Sequence, residues 1–73
     1  MLRLNASRLS QDDLRHAVSA QCSKFGHVSR VRVSVADGCA VAMVSMSKAA
    51  ETSKLLNSLG ETMVGEAVFI WIE

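Results

Sequence analysis

Seventy-three residues, 49% hydrophobic and 21% charged, with four glycines and no proline, describe one small folded domain. The chain is too apolar for disorder and has no proline-rich linker. Eight lysines and arginines against seven acidic residues leave a formal net charge of +1, which argues against the indiscriminate grip on nucleic acid that a strongly basic domain has.

A domain of this size buries only about 60% of the surface its unfolded chain exposes, so modest stability is expected. The length suits a whole small protein or one domain of a longer one. There is no signal-peptide pattern and no apolar run of membrane-spanning length, so no membrane association is expected. Cys22 and Cys39 form no Cys-x-x-Cys pair. They are expected as reduced thiols of an intracellular protein, with nucleus and cytoplasm not distinguished and a single disulfide between them as the alternative.

In chain order, Leu2-Arg3-Leu4-Asn5 alternates apolar and polar, the pattern of a half-buried strand that turns Arg3 and Asn5 outward. Ser10 then stands before Gln11-Asp12-Asp13, a helix N-cap followed by two carboxylates that favour the positive end of the helix dipole. Leu9 and Leu14 have the spacing of a hydrophobic staple. Leu14, Ala17, Val18, Cys22 and Phe25 form an apolar stripe at helical period. Gly26 is expected to end that helix in a left-handed conformation.

From Arg30 the alternation returns, with Val31, Val33 and Val35 on one face and Arg30, Arg32 and Ser34 on the other. Ala36-Asp37-Gly38 predicts a tight hairpin into Cys39–Met46, a strand apolar on both sides and hence central in a sheet. A second helix is expected from about Ser47, as its cap, to Leu59. Its buried stripe would be Ala49, Thr52, Leu55, Leu56 and Leu59, and Gly60 would stop it. The run Glu61–Gly65 reads as a connection with a short extended piece, and Ala67–Ile72 as the last strand.

Strand, helix, strand, strand, helix, strand is the ferredoxin-like plan: α+β, with two helices on one face of a four-stranded antiparallel sheet. Packing the aliphatic residues against the helices leaves Arg3, Asn5, Arg30, Arg32, Ser34, Cys39, Val41, Met43, Ser45, Phe69 and Trp71 on the open face. A shift of one residue in the last strand would instead turn Phe69 and Trp71 into the core.

These residues resemble the RNA recognition motif family over nearly the whole chain. Leu14-Arg15-His16-Ala17-Val18, leading through Lys24-Phe25-Gly26-His27-Val28 to Val31-Arg32-Val33, is similar to that family's first helix and second strand. Leu59 through Glu66 is similar to its second-helix exit. The base-contacting motifs depart from the family pattern. In the hexamer Leu2–Ser7 the usual aromatic second position is Arg3. In the octamer Cys39–Met46 the two stacking positions are Val41 and Met43, the basic opening residue is Cys39, and the glycine is Ala40.

The resemblance implies single-stranded RNA binding on the open sheet face. The missing rings make that binding weak or non-standard, because each stacked base contributes roughly 1–3 kcal/mol. Arg3, Asn5, Arg30, Arg32, Val41, Met43, Phe69 and Trp71 are the candidate RNA-contacting residues. Degenerate members of the family often serve protein contacts, so the alternative is protein docking or self-association centred on Val41, Met43, Phe69 and Trp71.

No catalytic residue, metal ligand or cofactor site is expected, and the chain is read as a binding module, not an enzyme. His16 and His27 lack partners at ligand spacing. The ferredoxin-like plan also houses metal carriers and small acyl-phosphate hydrolases. The Cys-x-x-Cys of the former and the glycine-rich loop of the latter are both absent, since Ala6-Ser7-Arg8 follows the first strand.

Overall fold

The computed structural model describes residues 2–5, 8–36 and 39–73. The elements are α1 (Gln11–Cys22), β1 (Val28–Ala36), β2 (Cys39–Met46), α2 (Ala49–Ser58), β3 (Thr62–Val64) and β4 (Ala67–Ile72), with a single 3₁₀ turn at Ser23–Phe25. The strands form one antiparallel sheet in the order β1-β2-β4-β3.

Helix α1 begins where its cap requires. The Ser10 hydroxyl accepts from the Asp13 amide at 3.1 Å, which satisfies one of the free first-turn donors. Leu14, Val18 and Cys22 are fully buried, with Leu9 and Phe25 packed at the margin. Burial also pushes the Cys22 thiol up to about 11, because the thiolate would lose its hydration. At the end of the 3₁₀ turn Gly26 takes φ 147°, ψ −163°. That region is open essentially to glycine alone, and differs from the left-handed helical conformation expected there. A Cβ at Gly26 would fall 2.2 Å from the Glu51 carboxyl carbon.

The break in alternation ahead of Arg30 is a β-bulge. The β1–β2 register runs Val28↔Met46 and then Arg30↔Ser45, leaving Ser29 unopposed, with its hydroxyl donating to the Ser45 carbonyl at 3.1 Å. The hairpin closes at Ala36↔Cys39. The Asp37-Gly38 turn itself lies outside the described residues, as do Ala6 and Ser7 of the expected first-strand hexamer.

Both helices cover the same face. Ala40, Ala42, Val44 and Met46 of β2 and Val68, Ile70 and Ile72 of β4 are buried beneath them together with Leu55. Each fully buried large aliphatic contributes about 1.5–3 kcal/mol of transfer free energy. Gly60 sits where a Cβ would meet Val68 Cγ1 at 2.5 Å, so the exit of α2 packs directly on β4. Val35, on the same face of the strand as Val31 and Val33, is 52% exposed. Helix α1 begins over Val33, whose carbonyl accepts from Gln11 Nε2, and the strand continues beyond it.

Three expectations need correction. Leu2–Asn5 is not a strand of the sheet. Its structure is one isolated parallel bridge, Leu2↔Ile72, with the Leu2 amide donating to the Trp71 carbonyl and the Leu4 and Asn5 amides donating to the Glu73 carbonyl. The fourth strand is instead β3, and the strand order is not built on the N-terminal segment. Strands β2 and β4 are hydrogen-bonded neighbours from Ala40↔Ile72 to Val44↔Val68, which leaves no slot between them. On the other edge of β4 the Glu61 amide takes the Phe69 carbonyl, so only the last residues of that edge remain for Leu2.

Second, Ser47 does not cap α2. The N-cap is Lys48, with no side-chain cap bond, and the Ser47 amide donates to the His27 carbonyl at 2.9 Å. Third, Ala49 is exposed; Thr52 and Leu55 carry the buried stripe of α2, with Leu56 and Leu59 partly buried beside them.

Candidate functional site

Strand pairing arranges the face opposite the helices as a grid. Residues directly opposite one another on neighbouring strands point to the same side, and the register places Arg32, Met43, Phe69 and Thr62 in one row across all four strands. Ser34, Val41 and Trp71 make the next row, and Arg30 with Ser45 the row on the other side. Val64 is paired with Ala67 on the same face.

The phase of β4 is settled by burial. Val68, Ile70 and Ile72 are at most 5% exposed, whereas Trp71 is 51% exposed and Phe69 is half-buried. The two rings therefore lie on the open face, two residues apart on one strand and about 6.5–7 Å from each other at Cα. Val41 and Met43 are half-buried between them and β1. The small inward pair Ala40 and Ala42 lets the helices approach that end of β2 closely, while Val44 and Met46 fill the core at its other end.

The cations divide into two groups. Arg30 and Arg32 are exposed on β1 and make no ion pair among the described residues. Arg3 lies beyond the opposite edge, away from the row of the β1 arginines, where its Nε makes an exposed pair with a Glu73 carboxylate oxygen at 3.4 Å. Asn5 is not on a strand face. It adopts φ 57° in a turn whose carbonyl accepts from the Arg8 amide at 3.0 Å, a conformation asparagine tolerates better than most residues. The structure thus brings together six of the eight candidate residues, Arg30, Arg32, Val41, Met43, Phe69 and Trp71, and leaves Arg3 and Asn5 apart.

Sequence inspection did not place Thr62 and Val64 on this face. Val64 is 60% exposed, and only the extended character of the Glu61–Gly65 run hinted at it. Nor did it place Arg15, on the outer side of α1, beside the β1 arginines. Both cysteines are free: Cys22 in the core and Cys39 exposed at the start of β2.

Chemically the face offers two aromatic surfaces, two guanidinium groups without an ion pair among the described residues, and an apolar centre. Its hydroxyls, from Ser34, Ser45 and Thr62, are few. Among the described residues no group of three or more His, Cys, Asp or Glu side chains could hold a metal ion, and no helix is long and apolar enough to cross a membrane. No protein-family model, curated protein or solved structure matches this chain.

Proposed function

We propose that this chain is a binding module, not an enzyme, and that it takes single-stranded RNA on the open face of the sheet in the non-standard manner of a degenerate RNA recognition motif. The observation that carries this reading is the grid itself. Phe69 and Trp71 present ring surfaces on β4, while two strands away Arg30 and Arg32 hold unpaired charge at the edge. Bases stack on the rings and phosphates meet the guanidinium groups, a combination that serves single strands without reading base edges.

The succession α1–β1–β2–α2, followed after the short β3 by β4, supports the ferredoxin-like part of the proposal as far as element order goes, while the β2–β4 pairing takes the place of that plan's first strand. Titration of short RNA oligomers, followed by amide chemical shifts at two salt concentrations, tests it. Shifts should map to Arg30, Arg32, Met43, Phe69 and Trp71 and weaken with salt. Absence of shifts on this face at low salt would refute it.

A second reading rests on a different observation: Val41, Met43, Trp71 and Val64 form an apolar surface on the same face, the kind that marks protein contacts. It predicts self-association or partner binding that Met43→Asp or Trp71→Asp abolishes. Unchanged association in both variants would exclude it.

A further inference from the structure

The free edge of β1 carries a second basic surface that continues away from the open face. Two clefts flank that edge. One lies on the sheet side and is lined by Arg32, Ser34 and Met43 together with Arg15 of α1. The other lies between the edge and α1 and is lined by Arg15, His16, Ser29 and Arg30. Arg15 borders both, so a continuous track runs from Met43 on the face, past Arg32, over the strand edge, to Arg30, Arg15 and His16. Arg15 is engaged with Asp12 at 3.4 Å, an exposed i,i+3 pair. Such pairs contribute well under 1 kcal/mol as a rule, so a phosphate can take its place.

We infer that this track holds the sugar-phosphate backbone of a nucleic-acid strand as it leaves the face, so that the binding site wraps round the β1 edge onto α1. The inference rests on the RNA-binding reading for its direction; it shares Arg30, Arg32 and Met43 with the face, and Arg15, His16 and Ser29 belong to the track alone. An acidic peptide adding as a fifth strand is disfavoured by two features of the edge. The Val33 carbonyl is occupied by Gln11 Nε2, and the bulge at Ser29 interrupts the ladder towards Val28. What remains accessible is side-chain charge on long, mobile arms, which suits a flexible polyanion whose charges recur along its length.

The test compares a tetranucleotide and a decanucleotide of uridine with an abasic phosphodiester decamer and an oligoglutamate peptide of equal charge, each titrated into the isotope-labelled chain. The abasic decamer should shift the amides of Arg15, His16, Ser29 and Arg30 while leaving Phe69 and Trp71 in place. The uridine decamer should bind more tightly than the tetramer. The double variant Arg15→Gln, His16→Gln should bind the decamer no tighter than the unaltered chain binds the tetramer. Its log–log salt slope for the decamer should be shallower by about 0.7, one phosphate contact on a single strand. An unaltered length gain in that variant overturns the inference, as does an abasic decamer that leaves the four amides unmoved. Oligoglutamate shifting those amides at the same concentrations also overturns it, in favour of an acidic protein partner. Uridine oligomers that fail to move Phe69 and Trp71 while the abasic chain moves the track refute the face reading and leave the track standing.

Discussion

Replacing Trp71 by leucine separates base stacking from folding. Trp71 is the chain's only tryptophan, the chain has no tyrosine, and the indole is 51% exposed. A fully buried tryptophan covers about 150–250 Å², so roughly half of that is buried here, and leucine restores most of it. At about 25 cal/mol per Å² the stability change stays below about 1 kcal/mol. The π surface is lost entirely. One stacked base is worth about 1–3 kcal/mol, so affinity for a uridine oligomer should fall about 5- to 150-fold with the melting curve nearly unmoved. Intrinsic emission provides the companion assay. Stacking on Trp71 should quench its fluorescence as RNA is added to the unaltered chain, and Phe69→Leu should weaken the affinity without removing the quench at saturation. RNA binding with full affinity by Trp71→Leu, or saturation of the unaltered chain with no change in emission, would show that the ring at the start of this face is not a platform.

Other consequences concern the frame that holds the face. Ser10→Ala removes the α1 cap and should destabilise the domain by about 0.5–2 kcal/mol in urea unfolding. Gly26→Ala should be destabilising by about 1–3 kcal/mol from its backbone conformation alone. Adding Glu51→Ala, which clears the side chain a Cβ would strike, should recover only the steric part; full recovery would contradict the conformational argument. The Cys22 thiol has its folded value raised from 9.0 to about 11. The native state therefore keeps a proton that the unfolded chain releases, and stability is fully present below about pH 9 and falls as pH rises from there to about 11. The slope is at most about 1.4 kcal/mol per pH unit, and Cys22→Ala should flatten it.

Much of this architecture is legible in the residues because side-chain burial wrote it. Helix α1 shows its cap, staple and stripe together, and Leu14, Val18 and Cys22 are buried as their spacing requires. The phase of β2 and β4 is readable because both strands place aliphatic residues every second position under the helices. Elements held by backbone pairing instead of burial leave weaker traces. All three residues of β3 are exposed and its register is set by β4, so no periodic apolar signal announces it. Leu2-Arg3-Leu4-Asn5 shows the opposite failure. Four alternating residues describe a local preference without naming a partner, and β2 and β4 pair with each other. The Ser47 cap misleads because the helix starts one residue later, with Lys48 in the cap position, while the Ser47 amide is tied to the His27 carbonyl, distant in sequence. The site inherits this division: the strand residues were placed correctly, while Arg3 and Asn5 fell with the strand that did not form.

The near-zero net charge conceals an uneven distribution. Arg30 and Arg32 line one edge of the sheet, with Arg15 above them. At the other edge Glu61 and Glu66 flank β3, and Glu73 engages Arg3. On the RNA-binding reading, a polyanion approaching this face would meet its positive charge on the β1 side, although the chain as a whole scarcely attracts it. The rings on β4 then lie inward of the basic edge, with Val41 and Met43 between them and the arginines. Valine and methionine at the centre of β2 therefore do more than vacate stacking positions. On the RNA-binding reading, they are a half-buried apolar stretch between charge and ring, and a strand anchored by phosphates at β1 would cross β2 to stack on Phe69 and Trp71. With Ser34, Ser45 and Thr62 alone offering hydroxyls across that path among the described residues, that reading predicts that the face distinguishes an unpaired strand from a duplex far better than one base from another.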